Sequence, residues 1–338
     1  MKILLIKRGA MGDILMSTPL IRQLHQQCPQ ATIDYCIAKP FAAILKDNPY
    51  LNNIITLDEQ TFANYGIFKY IKFVWSIRNK YDYIFNLGKS WQLNLLNKIF
   101  RGKKIGYARE SISKFLLNKY VLYNDIGRYH GLYYLDLLNI SGLGIADYRD
   151  INLDISITAK DREIVHSKLN ELGINHFVIV VNSGGNNQYE SGGIRMLPSD
   201  KVEQLLIRLL QGKNLIILLG GKVDWKNYQK YVSIDPKHII NCAGIFTLPQ
   251  STYLISLSKH FYTTDCGSMH LGVATNIGNK MTCFFGPTAP THVLPPNNQF
   301  NIIWNDCAIF DKSYPLKGKF NKNSSKYFSK LDILSVIK

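Results

Sequence analysis

The 338-residue chain is short of acidic side chains, of long apolar runs and of the local patterns that mark metal or dinucleotide sites. Its longest apolar runs are five residues, as in Leu215–Leu219. A membrane span needs about 20, so nothing is expected to cross a bilayer. The opening MKILLIKRGAMGD is interrupted at once by Lys7 and Arg8, unlike the apolar core of a signal peptide, and a cytoplasmic protein is expected. The six cysteines form no C-x-x-C pair and no Cys/His cluster with zinc spacing. They read as reduced, mostly buried small side chains, and no metal site is expected. No G-x-G-x-x-G occurs, and no D-x-D. The first absence argues against a nucleotide-dependent oxidoreductase or epimerase, which would also want a ribose-binding acid about 20 residues further on. Gly at 24 and Pro at 12 are too ordinary for a collagen-like or low-complexity chain. Aromatics at 12% are too many for a disordered one.

What is present is positive charge. Against 24 acids stand 40 basic residues, giving a formal charge of +16. Two segments concentrate it. Between Lys69 and Lys119 the only acids are Asp82 and Glu110, and between Lys312 and Lys338 the only one is Asp332. A polyanionic partner fits such segments: a membrane surface, a nucleic acid or a phosphorylated substrate. A plain Lys-rich composition accounts for them equally well. Lys outnumbers Arg, which weighs against a dedicated reader built on Arg forks.

Apolar patterning gives two αβ halves. In the first, Lys2–Ile6, ATIDYCIA, NNIITL, YDYIFNL and KKIGYA read as strands. Helical spacing follows Gly12, with Pro19 marking a kink or a late start, and recurs over 68–79, in SWQLNLLNKIF and from His130 to Leu143. The pattern restarts near 152–161 with the helix DREIVHSKLNELGI and the β-branched strand HFVIVVN. NLIILLGG, HIINCAG, HFYTTD and KMTCFFG continue as strands, with helices PSDKVEQLLIRLLQ, TLPQSTYLISLS and GSMHLGVATNIG between them and LDILSVIK at the end. Strands alternating with helices imply doubly wound parallel sheets. Ligands of such sheets sit beyond the carboxyl ends of the strands.

Four segments lie at strand ends. In GAMGD, Gly9 and Gly12 permit a tight turn, and Asp13 is either a carboxylate at the mouth or the N-cap of the next helix. An acid there would repel a pyrophosphate. In TTDCGSMHLGVA, the strand ends at Asp265, and Cys266, Gly267 and Ser268 lead into a helix whose free N–H groups and dipole suit an anion. His270 falls in its first turn. Capping and turn roles explain the same residues. In NSGG, Ser183 and Gly184 precede Arg195, a set that suits a phosphate or is simply a surface loop. In LGGKVD, Asp224 could accept ribose hydroxyls or fix a turn.

MKILLIKRGAMGDILMSTPLIRQL resembles the N-terminal signature of glycosyltransferase family 9, the lipopolysaccharide heptosyltransferases, and TTDCGSMHLGVA followed by FFGPTAP resembles its second signature, D-x-G-x-x-H then F-G-P-T. YDYIFNL, KKIGYA, HGLYYLDLL and LGGKVD are weaker matches, so the resemblance spans residues 1 to about 292. The loop NNQYESGG and the Lys/Asn-rich tail depart from the family pattern. The resemblance implies a GT-B fold: an acceptor-side Rossmann-like domain over 1–155, a nucleotide-sugar-binding one over 156–310 facing it across a cleft, and a Lys-rich tail with a terminal helix over 311–338. It implies an inverting transfer of heptose from ADP-heptose, a co-substrate and not a cofactor, with Asp13 as general base. Donor contacts are expected from Ser183, Gly184, Arg195, Asp224, Asp265, Cys266, Gly267, Ser268 and His270, and acceptor contacts from Lys7, Arg8, Gly9 and Gly12. The absence of D-x-D argues against metal-dependent transfer, with the Gly267 helix end and Arg195 standing in for a metal.

The implied acceptor is an anionic, lipid-linked core oligosaccharide at the cytoplasmic face of the inner membrane. Lys98, Arg101, Lys103, Lys104, Arg109, Lys114 and Lys119 are expected to hold the enzyme there peripherally; nucleic acid is not expected as a partner. Two other readings stand beside this one. The first is a glycosyltransferase of the same fold using another nucleotide sugar. The second is a basic membrane- or nucleic-acid-associated protein without catalysis, which explains the charge but not two strand-end anion sites.

Overall fold

The computed structural model describes residues 1–58, 66–124, 127–184, 192–296, 299–304, 327–329 and 331–337. The chain forms two compact units, Met1–Ser156 and Ile157–Lys338.

The first unit runs β1 (Lys2–Lys7), α1 (Met11–Met16), α2 (Thr18–Gln27), β2 (Thr32–Ala38), β3 (Asn53–Leu57), α3 (Ile67–Ile77), β4 (Tyr83–Asn86), α4 (Trp91–Asn97), β5 (Lys103–Ala108), α5 (Ser111–Leu116), β6 (Lys119–Leu122) and α6 (His130–Ser141). Its sheet is parallel, in the order β3-β2-β1-β4-β5-β6. The central strands are apolar because helices cover both faces; Ile3, Leu4, Leu5 and Ile6 are fully buried. Pro19 sits in the first turn of α2, where its missing N–H costs nothing, so the helical run beginning at Met11 breaks at Ser17 and starts afresh. Gly142 at φ 80° closes α6 in the left-handed conformation that favours glycine. Buried Arg22 of α2 fastens the end of the unit. It donates to Asp150 at 2.8 Å and to the Asn152 carbonyl at 3.0 Å, and pairs with Asp154.

The second unit runs α7 (Ala159–Glu171), β7 (Phe177–Val181), α8 (Ser199–Gln211), β8 (Leu215–Leu218), α9 (Trp225–Val232), β9 (Ile239–Asn241), α10 (Leu248–Leu257), β10 (His260–Thr264), α11 (Gly267–Ala274), β11 (Met281–Phe285), α12 (Pro290–Val293), β12 (Asn301–Trp304) and α13 (Ile333–Val336). Capping boxes start α7, from Thr158 and Asp161, and α10, from Thr247 and Gln250. The sheet order is β12-β11-β10-β7-β8-β9, again all parallel. Residues 305–310 at the end of the expected second domain and 311–326 of the expected tail lie outside the described residues. Tyr327, Phe328, Leu331, Ile333 and Ile337 pack into the core of this unit with Leu205, Leu206 and Leu209 of α8.

Numbered within its own unit, each sheet has the order 3-2-1-4-5-6, the dinucleotide-fold arrangement. Strand order reverses between β1 and β4 in the first unit and between β7 and β10 in the second. The crevices at these two switch points are where such sheets bind ligands.

Candidate active site

At the first switch point, β1 ends in Lys7, whose ammonium is buried and lies 3.1 Å from Asp13 Oδ2. Asp13 is not the helix cap. Ala10 occupies that position without a side-chain bond, and Asp13 is the third residue of α1. Its carboxylate is therefore committed to Lys7, not to the helix N–H groups, and its side chain remains 27% exposed. Tyr134 of α6 donates to the other oxygen at 3.4 Å. Burial alone would raise the Asp13 carboxyl; the charges of Lys7, Lys89 and His130 and the Lys7 hydrogen bond more than reverse this, holding it well below the usual carboxylate range. Burial, followed by the charge of Asp13, pushes the Tyr134 phenol far up, so it stays a donor.

Lys89 comes from the loop after β4. Its ammonium pairs with the Tyr123 hydroxyl and lies 4.2 Å from that ring's centre, while the same hydroxyl is 3.2 Å from His130 Nε2 at the start of α6. The ends of β1, β4 and β6 thus bring one carboxylate together with two lysines, a histidine and tyrosine hydroxyls. Arg8 and Gly9 are half-buried beside it, and Gly12 is buried within α1. Sequence reading reached Lys7 and Asp13 but missed Lys89, Tyr123, His130 and Tyr134. The available signal was a lysine just after a strand, and HGLYYLDLL opening with histidine.

At the second switch point, the ends of β7 and β10 are stitched together. The Thr264 hydroxyl donates to the Ser183 carbonyl at 2.6 Å, and the Ser183 N–H donates to Thr264 Oγ1 at 3.2 Å. Asn182 holds the next loop, donating to the Leu197 carbonyl at 3.1 Å and accepting the Leu197 N–H at 2.8 Å. That clamp sets Arg195, at the end of a short 3-10 turn, 3.5 Å from Asp265 Oδ2. Arg195 is 16% exposed and Asp265 only 4%, so the arginine is the more open member of the pair. Gly184 is buried, and most of the loop NNQYESGG lies outside the described residues.

Helix α11 begins at Gly267 with Cys266 as its cap residue and no side-chain cap bond. Gly267 and Ser268 are partly exposed, whereas Cys266 and Met269 are buried. Burial raises the Cys266 thiol, which makes it an inert part of the turn. His270, the fourth residue of α11, is buried at 4% exposure. Asp224 is largely buried, and its Oδ2 accepts the Gly221 N–H at 2.8 Å. Burial raises its carboxyl and that bond partly offsets the rise. The turn-fixing role is therefore occupied, with one carboxylate oxygen left over. Among the described residues no group of three or more His, Cys, Asp or Glu side chains could hold a metal ion, and no helix is long and apolar enough to cross a membrane.

Both units are of the dinucleotide type, one with a paired carboxylate at its switch point and the other with an open helix N-terminus beside an arginine. The model of glycosyltransferase family 9 (heptosyltransferase) matches residues 70–315, and the chain belongs to this family. It is similar to lipopolysaccharide heptosyltransferase 3 of Escherichia coli K12, at 24% identity over 96% of this chain and 93% of the relative. Lipooligosaccharide heptosyltransferase 2 of Haemophilus ducreyi is 25% identical over 90% and 88%. The solved ADP-heptose lps heptosyltransferase II of E. coli superposes with a TM-score of 0.73 at 22% identity, covering 94% of this chain and 95% of that one. The fold is thus that of the heptosyltransferase structures.

Proposed function

We propose that the chain transfers a heptose from ADP-heptose to the anionic, lipid-linked inner core of lipopolysaccharide or lipooligosaccharide, inverting the anomeric centre without a metal ion, at the cytoplasmic face of the inner membrane. The observation that carries this reading is the Asp13 carboxylate, kept ionised and partly open at the β1 switch point by buried Lys7. ADP-heptose is chosen as donor because the solved E. coli relative is an ADP-heptose lps heptosyltransferase.

In this reading the donor diphosphate lies on the N–H groups of Gly267 and Ser268, with Arg195 beside it and the Ser183–Gly184 turn lining the approach. Asp224 offers its remaining oxygen to the ribose. Asp265 holds Arg195 in place, and Cys266 and His270 shape the turn. The acceptor hydroxyl gives its proton to Asp13 as its oxygen attacks the anomeric carbon. The bond from that carbon to the β-phosphate oxygen breaks, and ADP leaves with the electron pair, its charge taken up by the helix end and Arg195.

A carboxyl held so low is a weak base at rest. Lys7, Lys89 and His130 are what lower it, together with the Lys7 hydrogen bond. A phosphate or carboxylate of the acceptor set against these cations, near Arg8 and Gly9, would offset their field and raise the proton affinity of Asp13 only when substrate is present. A neutral acceptor would leave the base weak.

The test is a donor panel of ADP-heptose and UDP- and GDP-linked hexoses with a core-oligosaccharide acceptor. Released nucleotide is measured and the product's anomeric configuration read by NMR. Turnover with ADP-heptose and an inverted linkage are expected. Preference for a uridine or guanosine donor, or a retained configuration, would overturn the reading.

A further inference from the structure

We propose that the outer face of α3, α4 and α5 is a docking surface for an anionic lipid bilayer. The three helices lie side by side on one face of the first sheet. α3 sends Tyr70, Val74 and Ile77, and α4 with the turn after it sends Leu93, Leu96 and Ile99, into a shared core. α5 is joined to α4 by the Asn94 amide donating to the Ser113 hydroxyl at 3.2 Å and by Lys98 donating to the Phe115 carbonyl at 3.3 Å.

The opposite stripe of α3 is Phe68, Lys72 and Trp75, spaced i, i+4, i+7, which is one side of a helix. Phe68 is 83% exposed and Trp75 57%, and the Arg78 guanidinium stacks 3.9 Å from the Trp75 ring. Leu95 of α4 and Ile112 of α5 are also exposed, and Phe115 is 80% exposed. A row of exposed aromatic and aliphatic side chains is more than scattered surface apolarity and marks an interaction site.

The charge pattern decides the occupant. Lys69, Lys72, Lys98 and Lys114 interleave with the apolar residues and are exposed, while the stretch from Lys69 to Lys119 holds only two acids. A second copy of the chain would bring like charge onto like charge. A bilayer with anionic headgroups takes both components at once, aromatic rings at the headgroup boundary and ammonium groups on the phosphates. Lys104, expected among the binding lysines, does not contribute: it is buried, its ammonium donates to the Phe100 carbonyl at 3.0 Å, and burial followed by Lys98 lowers its affinity for the proton. The inference deepens the proposed function, since a lipid-linked acceptor requires an enzyme at the membrane, but its grounds are the surface itself.

The test is co-sedimentation of the full chain with vesicles of phosphatidylcholine alone or with one-third phosphatidylglycerol. Binding to the anionic vesicles, falling steeply from low to physiological salt, is expected. Lys72→Gln, Lys98→Gln and Lys114→Gln together should weaken it about 100-fold, at about fivefold per lysine. Phe68→Ser, Trp75→Ser and Phe115→Ser together should weaken it at least about tenfold, and ADP affinity should stay constant in both sets. Vesicle binding indifferent to both sets would overturn the proposal, as would a concentration-dependent dimer abolished by the apolar set. A chain that binds vesicles through this face yet releases no ADP from ADP-heptose would sink the proposed activity and leave the docking surface standing; transfer without vesicle binding would do the reverse.

Discussion

Replacing Lys7 with Met keeps a stem of similar length in the buried position beside Asp13 and removes the charge 3.1 Å from Oδ2. At an effective dielectric of about 20 the direct attraction at that distance is roughly 5 kcal/mol. Desolvation of the ammonium cancels much of it, and the exposed quarter of Asp13 lets water replace part of the rest, leaving a net cost of about 2 kcal/mol. Asp13→Asn strands the buried ammonium and costs about 1–2 kcal/mol for the same reason. The double variant should therefore lose less than the sum, with a coupling of about 2 kcal/mol in urea unfolding at pH 7. The sign of the pH dependence follows from the lowered Asp13 carboxyl. Its contribution to stability is complete above the unfolded value of about 3.9 and is lost as pH falls through the depressed folded value. At pH 3.5 the Lys7→Met penalty should shrink by roughly half a kcal/mol. A coupling below about 0.5 kcal/mol, or one that grows on acidification, would refute the ion-pair reasoning.

Two further predictions concern the second unit. Gly267 is not among the glycines with positive φ, so Gly267→Val leaves the backbone conformation allowed and only obstructs the approach to the first N–H groups of α11; isothermal titration should show ADP binding at least about tenfold weaker, and unchanged affinity would remove the diphosphate from this helix end. Arg195→Ala should weaken ADP about 10–100-fold, because it removes a charged donor and uncovers the buried Asp265 carboxylate; adding Asp265→Asn should restore part of that loss, and no restoration would mean that the pair does not act as a unit.

Much of the fold is written in runs that need no partner to be recognised. Phe177–Val181 is fully buried on both faces and reads as a parallel strand from its β-branched side chains alone. The αβ pattern restarts near 152–161, and the compact units are Met1–Ser156 and Ile157–Lys338. Edge strands were the harder part. β6 and β12 lie at the ends of their sheets and are mostly exposed or half-buried, and their apolar runs, Tyr120–Tyr123 and Ile302–Trp304, are only four and three residues long. The adjacent Lys103 and Lys104 look alike in sequence, yet Lys103 opens the strand exposed while Lys104 lies within its buried stretch. The candidate site divides the same way. Lys7 and Asp13 flank one turn and are legible together. Lys89, Tyr123 and His130 join them only because the sheet order sets β4 beside β1 and brings in the end of β6 and the start of α6, a juxtaposition that linear spacing does not contain.

The central claim is that Asp13 removes the acceptor's proton during transfer from ADP-heptose, and the most direct measurement is ADP release by Asp13→Asn beside the native enzyme at saturating donor and acceptor. The substitution preserves the side chain's size and the α1 backbone, in which Asp13 has no capping duty. A positioned base contributes about 10²–10⁴ in rate, so kcat should fall at least about 100-fold while the ADP dissociation constant stays within a factor of about two. A variant that folds, binds ADP normally and keeps most of its kcat would contradict the account.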